Sequence, residues 1–200
     1  MNKSGNNNRS VRNTKKKLLT GLLSLMREKP ISSITVRELT ELVDVNRGTF
    51  YFHYADIYDL IRQVEEEFLL EFNEIIDNMM RNIPAANNPP EILVKIFSFC
   101  AENRDLCEIL LGPNGDAAFV DRIKNIVDEK CSATWKSIGA HMSLEEYEYF
   151  NTFIINGFIG ILEKWLKNGC KQTPEEMAVF EAKIILPAAK SSMGFVEPIK

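Results

Sequence analysis

The sequence predicts an all-α fold of about nine helices, divided into a small N-terminal head and a larger helical body. Two observations predict it. Apolar residues recur at steps of three and four along most of the 200 residues, and no segment alternates polar and apolar residues as a half-buried strand does. Capping-box sequences, in which Ser or Thr stands three residues before Glu, also precede helical patterns.

The first helix is predicted from about Val11 to Lys29, because Leu18, Leu22 and Met26 share one helical face. Pro30 ends this helix. Residues 1–10 are rich in asparagine and almost without apolar side chains, which indicates a disordered basic tail.

Two short helices and a long one follow. Thr35 caps the second helix, with Glu38 reaching back to complete a capping box, and this helix runs to about Leu42. After a turn at 43–45, a third helix spans Asn46 to about Tyr54. Asp56 caps a fourth helix that continues to residue 80 or 82.

The body, residues 56–200, contains five further helices, which prolines, glycines and caps separate. Pro90 opens one helix, a glycine-rich break follows at 112–115, and Ser143 with Glu146 forms a second capping box. Gly169 stops the eighth helix, and Pro187 and Gly194 disrupt the ninth. The predicted spans are about 90–101, 104–111, 117–138, 144–168 and 174–189.

The second and third helices have helix-turn-helix spacing, so residues 11–55 are predicted to be a DNA-binding domain. Asp44 takes the left-handed turn position, where glycine is usual. Buried contacts are expected from Leu39, Val43, Val45 and Phe50. The outward face of the third helix would carry Asn46, Arg47, Thr49, Tyr51 and His53, which are groups that reach base edges and phosphates. The alternative is that the outward face of the third helix is an ordinary polar surface that contacts only solvent.

The charge distribution supports the DNA-binding interpretation. Through residue 54 there are ten basic and four acidic residues, so this part of the chain carries a charge of +6. Because the whole chain carries −4, the remaining residues carry −10. A basic head on an acidic body is typical of proteins whose head binds a polyanion.

Several other classes of protein are disfavoured. The two histidines, His53 and His141, stand in no catalytic or metal-binding motif, so we expect no catalytic residue, no metal and no cofactor. The four cysteines lack CxxC spacing and are expected in the core. No run of 18 apolar residues and no signal-type segment is present, which predicts a cytoplasmic protein without a membrane span.

The stretch ITVRELTELVDVNRGTFYFHYADIYDLI resembles the N-terminal signature of the TetR family of transcription regulators, over about residues 12–62. In the body, AENRDLCEILLG and FIINGFIGILEKWLKNGCKQTPEEMA are similar to a subgroup common in low-GC Gram-positive bacteria. The resemblance implies a nine-helix homodimer that binds palindromic double-stranded operator DNA, usually as a repressor that a small molecule releases. One relative of the subgroup type is instead a coactivator that works through a protein partner, and this is the alternative function.

The resemblance also implies roles for individual residues. Thr35 would bind a phosphate at a helix N-terminus, and Gly48 would admit the DNA backbone closely. Lys17 is not among the positions that the resemblance supplies, but it lies in the basic N-terminal segment and is also predicted to hold a phosphate. The remaining contacts to DNA would come from Arg37, Asn46, Arg47, Thr49, Tyr51 and His53. Three residues depart from the family pattern: Thr40 and Asp44, which suggest a looser motif, and Ile57, which removes a phosphate-binding lysine.

The last two helices carry more apolar surface than one inward-facing stripe requires, which predicts a four-helix dimer interface. Gly157 lies in the middle of the eighth helix, where a bare backbone would let another helix approach; alternatively it faces its own domain. The predicted interface residues are Phe153, Gly157, Ile161, Trp165, Phe180 and Ile184. The aromatic-rich body would suit a small apolar or aromatic effector, whose binding residues the sequence leaves unknown.

Overall fold

The computed structural model describes residues 3–81, 89–137 and 143–192, which form nine α-helices, one short 3-10 helix and no β-strand. The all-α prediction is therefore confirmed. The helices are α1 (Lys3–Glu28), α2 (Val36–Leu42), α3 (Arg47–His53), α4 (Ile57–Arg81), α5 (Pro89–Glu102), α6 (Arg104–Leu110), α7 (Ala117–Ser137), α8 (Leu144–Lys167) and α9 (Pro174–Ser192). The 3-10 helix spans Ile31–Ser33 between α1 and α2.

The chain forms two compact units. The first unit comprises Met1–Leu69 with Ile109–Asp116, and the second comprises Leu70–Glu108 with Ala117–Lys200. The predicted helix-turn-helix residues, 11–55, lie wholly within the first unit, and α4 contributes residues to both.

The core of the first unit is apolar and closely packed. Leu18, Leu22, Leu39, Phe50 and Leu60 have no exposed side-chain surface. The helices α1 and α2 touch at Gly21, where an added Cβ would lie 2.2 Å from Val43 Cγ1. A glycine is therefore required for the spacing of these two helices.

In the second unit, α5 packs against α9, and aromatic rings fill the adjoining core. The Phe97 ring lies 5.3 Å from that of Trp165, edge to face, and 5.4 Å from that of Phe158. Such arrangements add to the stability that burial alone supplies.

Two predicted helix ends differ from the structure. The first helix begins at Lys3, so residues 3–10 are helical where we expected a disordered tail. No proline interrupts the chain there, and the amphipathic segment that follows provides a helix to extend. The ninth helix continues through Pro187 to Ser192, so Pro187 does not end it. Gly194 lies outside the described residues.

No helix within the described ranges has the length and apolar character needed to cross a membrane.

Candidate nucleic-acid interface

The turn between α2 and α3 has the geometry that the sequence predicts. Asp44 adopts a φ of +52°, in the left-handed region. The amide of Val43 donates to the Leu39 carbonyl at 3.1 Å, and that of Val45 donates to the Thr40 carbonyl at 3.0 Å. These bonds satisfy carbonyls that the end of α2 would otherwise leave without partners.

Only half of the predicted capping box forms at the start of α2. The Thr35 hydroxyl accepts a hydrogen bond of 3.2 Å from the amide of Glu38. The Glu38 carboxylate does not reach back, because Lys29 Nζ donates to both of its oxygens at 2.6 and 2.7 Å. The lysine brings a positive charge and bonds both carboxylate oxygens, whereas the backbone amide would bond only one. Thr35 is exposed, and its hydroxyl hydrogen remains available to a phosphate.

Asn46 is the N-cap of α3, and its Oδ1 accepts a hydrogen bond of 2.7 Å from the amide of Gly48. Gly48 is therefore the second residue of the helix. An added Cβ at Gly48 would lie 3.1 Å from the same Oδ1. The absence of a side chain at Gly48 thus leaves room for the capping oxygen of Asn46, and it also leaves the helix backbone exposed at this position.

The outward face of α3 carries most of the predicted side chains. Asn46, Arg47, Thr49 and Tyr51 are exposed, His53 is half-buried, and Phe50 points into the core. Phe52, which the sequence analysis did not select, is 81% exposed. Its ring meets that of His53 edge to face at 5.0 Å. Phe52 could have been identified from the sequence, because it lies in the third helix, which was predicted to carry the contacts to DNA.

Arg37 and Arg47 share one carboxylate. Arg37 Nε donates to Glu41 Oε1 at 2.8 Å, and Arg47 Nη2 lies 3.7 Å from the same oxygen. All three side chains are more than half exposed. Exposed ion pairs of this kind contribute little to stability, so little free energy is lost when either guanidinium leaves this carboxylate.

The N-terminal half of α1 forms the other side of this surface. A groove of about 660 Å³ lies between α1 and the turn with α3. Its lining residues are Arg9, Ser10, Asn13, Thr14, Lys17, Asp44, Val45, Asn46 and Thr49. Lys17 is therefore beside two predicted α3 contacts, whereas the Lys15 ammonium lies 5.7 Å from the centre of the Tyr54 ring.

The structure accounts for two of the departures from the family pattern. Thr40 is buried, and its hydroxyl donates to the carbonyls of Val36 at 2.8 Å and Arg37 at 3.0 Å. The hydroxyl is thus satisfied inside α2, and no looseness of the motif results. Ile57 is buried in the first unit, where an apolar side chain fits. Just before it, Asp56 caps α4 as predicted, accepting from the amide of Asp59 at 2.7 Å.

The predicted dimer residues divide into exposed and buried ones. Phe153, Gly157, Phe180 and Ile184 are exposed, and Ile161 is half-buried. No side chain or other helix of the described residues lies within 4 Å of a Cβ added at Gly157, so Gly157 faces no described part of its own domain. Trp165 is only 2% exposed, and its Nε1 donates to the Gln172 carbonyl at 3.0 Å. It is a core residue of the protomer, so the prediction that Trp165 lies in the dimer interface is wrong.

The cysteines whose side chains are described are free thiols. Cys100 and Cys107 are buried and Cys170 is half-buried, while Cys131 lies outside the described side chains. A hydrogen bond with Cys100, together with burial, holds the pKa of Cys107 well above its usual range. In the described ranges, no three histidine, cysteine or acidic side chains are arranged to hold a metal ion.

A family model described as a transcriptional regulator C-terminal region, of the TetR type, matches residues 87–186, half of the chain. No curated protein matches the sequence.

Solved structures share the fold. A TetR transcriptional regulator from Streptococcus agalactiae 2603V is 22% identical, over 90% of this chain and 97% of its own, with a TM-score of 0.58. The fatty acid degradation regulator FadR from Bacillus halodurans is 16% identical, over 86% and 94%, with a TM-score of 0.65. FadR from Bacillus subtilis, in complex with stearoyl-CoA, is 16% identical, over 85% and 96%, with a TM-score of 0.61.

Proposed function

Because the chain belongs to the TetR family of transcriptional regulators, we propose that it binds palindromic operator DNA as a homodimer through residues 11–55. The observation that carries this proposal is the outward face of α3. Tyr51 is 58% exposed and Phe52 is 81% exposed, side by side with Asn46, Arg47 and Thr49. Large aromatic side chains exposed among polar donors mark a surface that binds a partner.

The roles of the side chains follow from their positions. Thr49, Tyr51 and Phe52 would contact base edges and thymine methyl groups in the major groove, with His53 at the edge of this surface. Thr35 stands at the N-terminus of α2, where backbone amides and the helix dipole favour a phosphate. Arg37, Arg47 and Lys17 would hold further phosphates, with Glu41 keeping the two guanidinium groups in place before DNA arrives.

One α3 helix reads only a few base pairs, so two copies are needed for a specific site. The exposed apolar face of α8 and α9 supports a dimer. Phe153 on α8 and Phe180 and Ile184 on α9 are solvent-exposed in the protomer, and Gly157 leaves room for a second helix. Burial of these side chains against a second copy would remove a costly apolar surface from water.

We propose repression with release by a small apolar or aromatic effector. The Bacillus subtilis FadR with the same fold holds stearoyl-CoA, and the second unit of this chain contains an aromatic cluster around Phe97, Phe158 and Trp165. A long helix, α4, contributes to both units and would carry the effect of a ligand to the DNA-binding surface.

The test compares two single variants on duplexes that the full chain selects from a random library. Tyr51→Ala should weaken binding to the selected duplex by about 1–3 kcal/mol and relax the preference at one or two base pairs. Lys17→Ala should weaken all duplexes about equally. If the chain forms dimers yet binds no duplex, action through a protein partner replaces this proposal.

A further inference from the structure

Three thiols of the second unit lie where α5 ends, α6 begins and the turn after α8 passes. Cys100 is in the last turn of α5, Cys107 is in α6, and Cys170 is in the turn between α8 and α9. The ring of Trp165, near the end of α8, packs against that of Phe97, one turn before Cys100. The amide of Cys170 donates to the Trp165 carbonyl at 3.0 Å. This packing brings the turn after α8 to the C-terminal end of α5.

The same turn also meets the start of α6. A Cβ added at Gly169 would lie 3.9 Å from Arg104 Nη2. Burial raises the pKa of Cys170, and the positive charge of Arg104 opposes this rise. Cys100 acts on the pKa of Cys170, and Cys170 acts on that of Cys107. The packing and the electrostatics therefore agree that the three thiols form one cluster.

Burial gives the three thiols different access to solvent. Cys100 is 3% exposed and Cys107 is 2% exposed, whereas Cys170 is half-buried and can be reached by a small molecule. Cys170 also has a φ of +51°, directly after Gly169 at +83°. Cysteine lacks the short polar side chain through which asparagine and aspartate tolerate this left-handed region. The backbone at Cys170 is therefore strained, as it often is at functional positions.

The two buried thiols are not equivalent. A hydrogen bond with Cys100, together with burial, holds the pKa of Cys107 well above its usual range. Cys107 therefore keeps its proton and donates it to the sulfur of Cys100. Because the thiolate is the nucleophile in thiol chemistry, Cys100 is the buried thiol suited to attack a neighbouring sulfur, and Cys107 positions it.

We propose that Cys170 is a modification site for low-molecular-weight disulfides, and that it passes the disulfide bond on to Cys100. The Cys170 thiolate attacks one sulfur of the small disulfide, whose S–S bond breaks to release one small thiolate and leave a mixed disulfide on Cys170. The Cys100 thiolate then attacks the Cys170 sulfur and displaces the second small thiolate. Two protein thiols are thus oxidised, and the small disulfide is reduced to two thiols, which take up the two protons that the protein releases.

The resulting bond would tie the end of α5 to the turn that leads into α9. Cys100, Cys107 and Cys170 all lie in the second unit. The inference therefore does not depend on DNA binding by the first unit, and its failure would leave the proposed function intact.

The experiment treats the reduced full-length chain with oxidised glutathione under native conditions. Remaining thiols are alkylated at intervals, and the products are identified by intact mass and by peptide mapping without reduction. The variants are Cys170→Ser, Cys100→Ala and Cys107→Ala, with helical content checked by circular dichroism. Cys107→Ala is the matched control, because it removes a buried thiol of the cluster that does not take part in the bond.

The wild type should yield a Cys100–Cys170 link without bound glutathione, and Cys107→Ala should form the same link. Cys100→Ala should instead keep one glutathione on Cys170, because the thiol that displaces it is gone. In Cys170→Ser, the loss of the Cys100 thiol should be at least about tenfold slower, because the remaining thiols of the cluster are buried.

Three results would overturn the inference. These are a wild-type chain in which Cys170 stays unmodified, one in which glutathione remains on Cys170, and one in which Cys100 is linked to Cys107. An undiminished rate of Cys100 loss in Cys170→Ser would also overturn it. The wild-type map and the half-buried Cys170→Ser decide the question even where a variant in the core fails to fold.

Discussion

Asn46 Oδ1 accepts a hydrogen bond of 2.7 Å from the amide of Gly48, at the first turn of the helix that we propose reads DNA. One side chain therefore caps α3 and also lies on its outward face. The two roles are separable, because the cap requires an oxygen acceptor whereas an approaching phosphate requires the absence of negative charge.

Asn46→Asp should keep the fold and lose DNA binding. The carboxylate retains the cap and suits the positive end of the helix dipole, so the free energy of unfolding should stay within about 0.5 kcal/mol of wild type or rise. Repulsion from phosphates should weaken binding by at least about tenfold. Asn46→Ala is the companion variant, and it should cost about 1 kcal/mol of stability. Chemical denaturation measures the free energy of unfolding, and fluorescence anisotropy measures the affinity for DNA. An aspartate variant that binds as the wild type does would place this residue away from DNA.

Gly21→Ala should destabilise the first unit. The new Cβ would meet Val43 Cγ1 at 2.2 Å and Leu39 Cδ1 at 3.0 Å, so α1 and α2 must separate or Val43 must move. Overpacking of this kind costs about 1–3 kcal/mol, more than the gain in helix propensity returns. Ser24→Ala, at an exposed position on the same helix, should change stability by less than about 0.5 kcal/mol. Equal unfolding midpoints for the two variants would show that the helices are not closely packed here.

The sequence predicted local features well and non-local ones poorly. The Ser143 capping box forms in full, with both of its hydrogen bonds, because all of its atoms lie within four residues. The Thr35 box forms by half, because Lys29, nine residues before Glu38, takes the carboxylate. Gly21 went unnoticed since its partner, Val43, is distant in sequence. Trp165 was misplaced because periodicity marks an apolar helix as buried without telling its own core from a partner's surface.

Gly157→Arg should yield folded monomers. Outside the backbone of α8 itself, no described atom lies within 4 Å of a Cβ at this position, so the arginine has room and the protomer should remain helical. A buried charge on the proposed four-helix interface should prevent association and reduce operator affinity with it. Asn125→Arg, at an exposed position on α7, introduces the same side chain outside the two helices of the proposed interface and should remain dimeric. Sedimentation velocity distinguishes the monomer expected of Gly157→Arg from the dimer expected of Asn125→Arg. Dimers of normal mass from Gly157→Arg would move the interface elsewhere.

Glu181→Gln should raise stability near neutral pH. Glu181 is 2% exposed, its Oε2 has no hydrogen-bond partner among the described residues, and burial raises the pKa of its carboxyl. The folded state therefore binds its proton more tightly than the unfolded state does. Stability consequently falls as the pH rises from the ordinary carboxyl pKa of 4.5 to the raised value, and it stays lower above that value.

Glutamine is uncharged at every pH, so its burial does not require a charge to leave water. The free energy of unfolding of the variant should therefore exceed that of the wild type by on the order of 1 kcal/mol at pH 8, with a smaller difference at pH 5. Thermal unfolding at the two pH values measures this, with the exposed Glu175→Gln on the same helix as the control. A constant difference across this range would show that the carboxyl titrates normally.

The most direct test of operator recognition is a selection of duplexes from a random library by the full-length chain, followed by salt titration of the selected and random duplexes. We expect a palindromic site whose half-sites lie one helical turn apart, about 34 Å. We also expect preference over random DNA and a log–log salt slope near −7, from about four phosphate contacts per subunit. Equal affinity for selected and random duplexes, or a slope close to zero, would contradict the account.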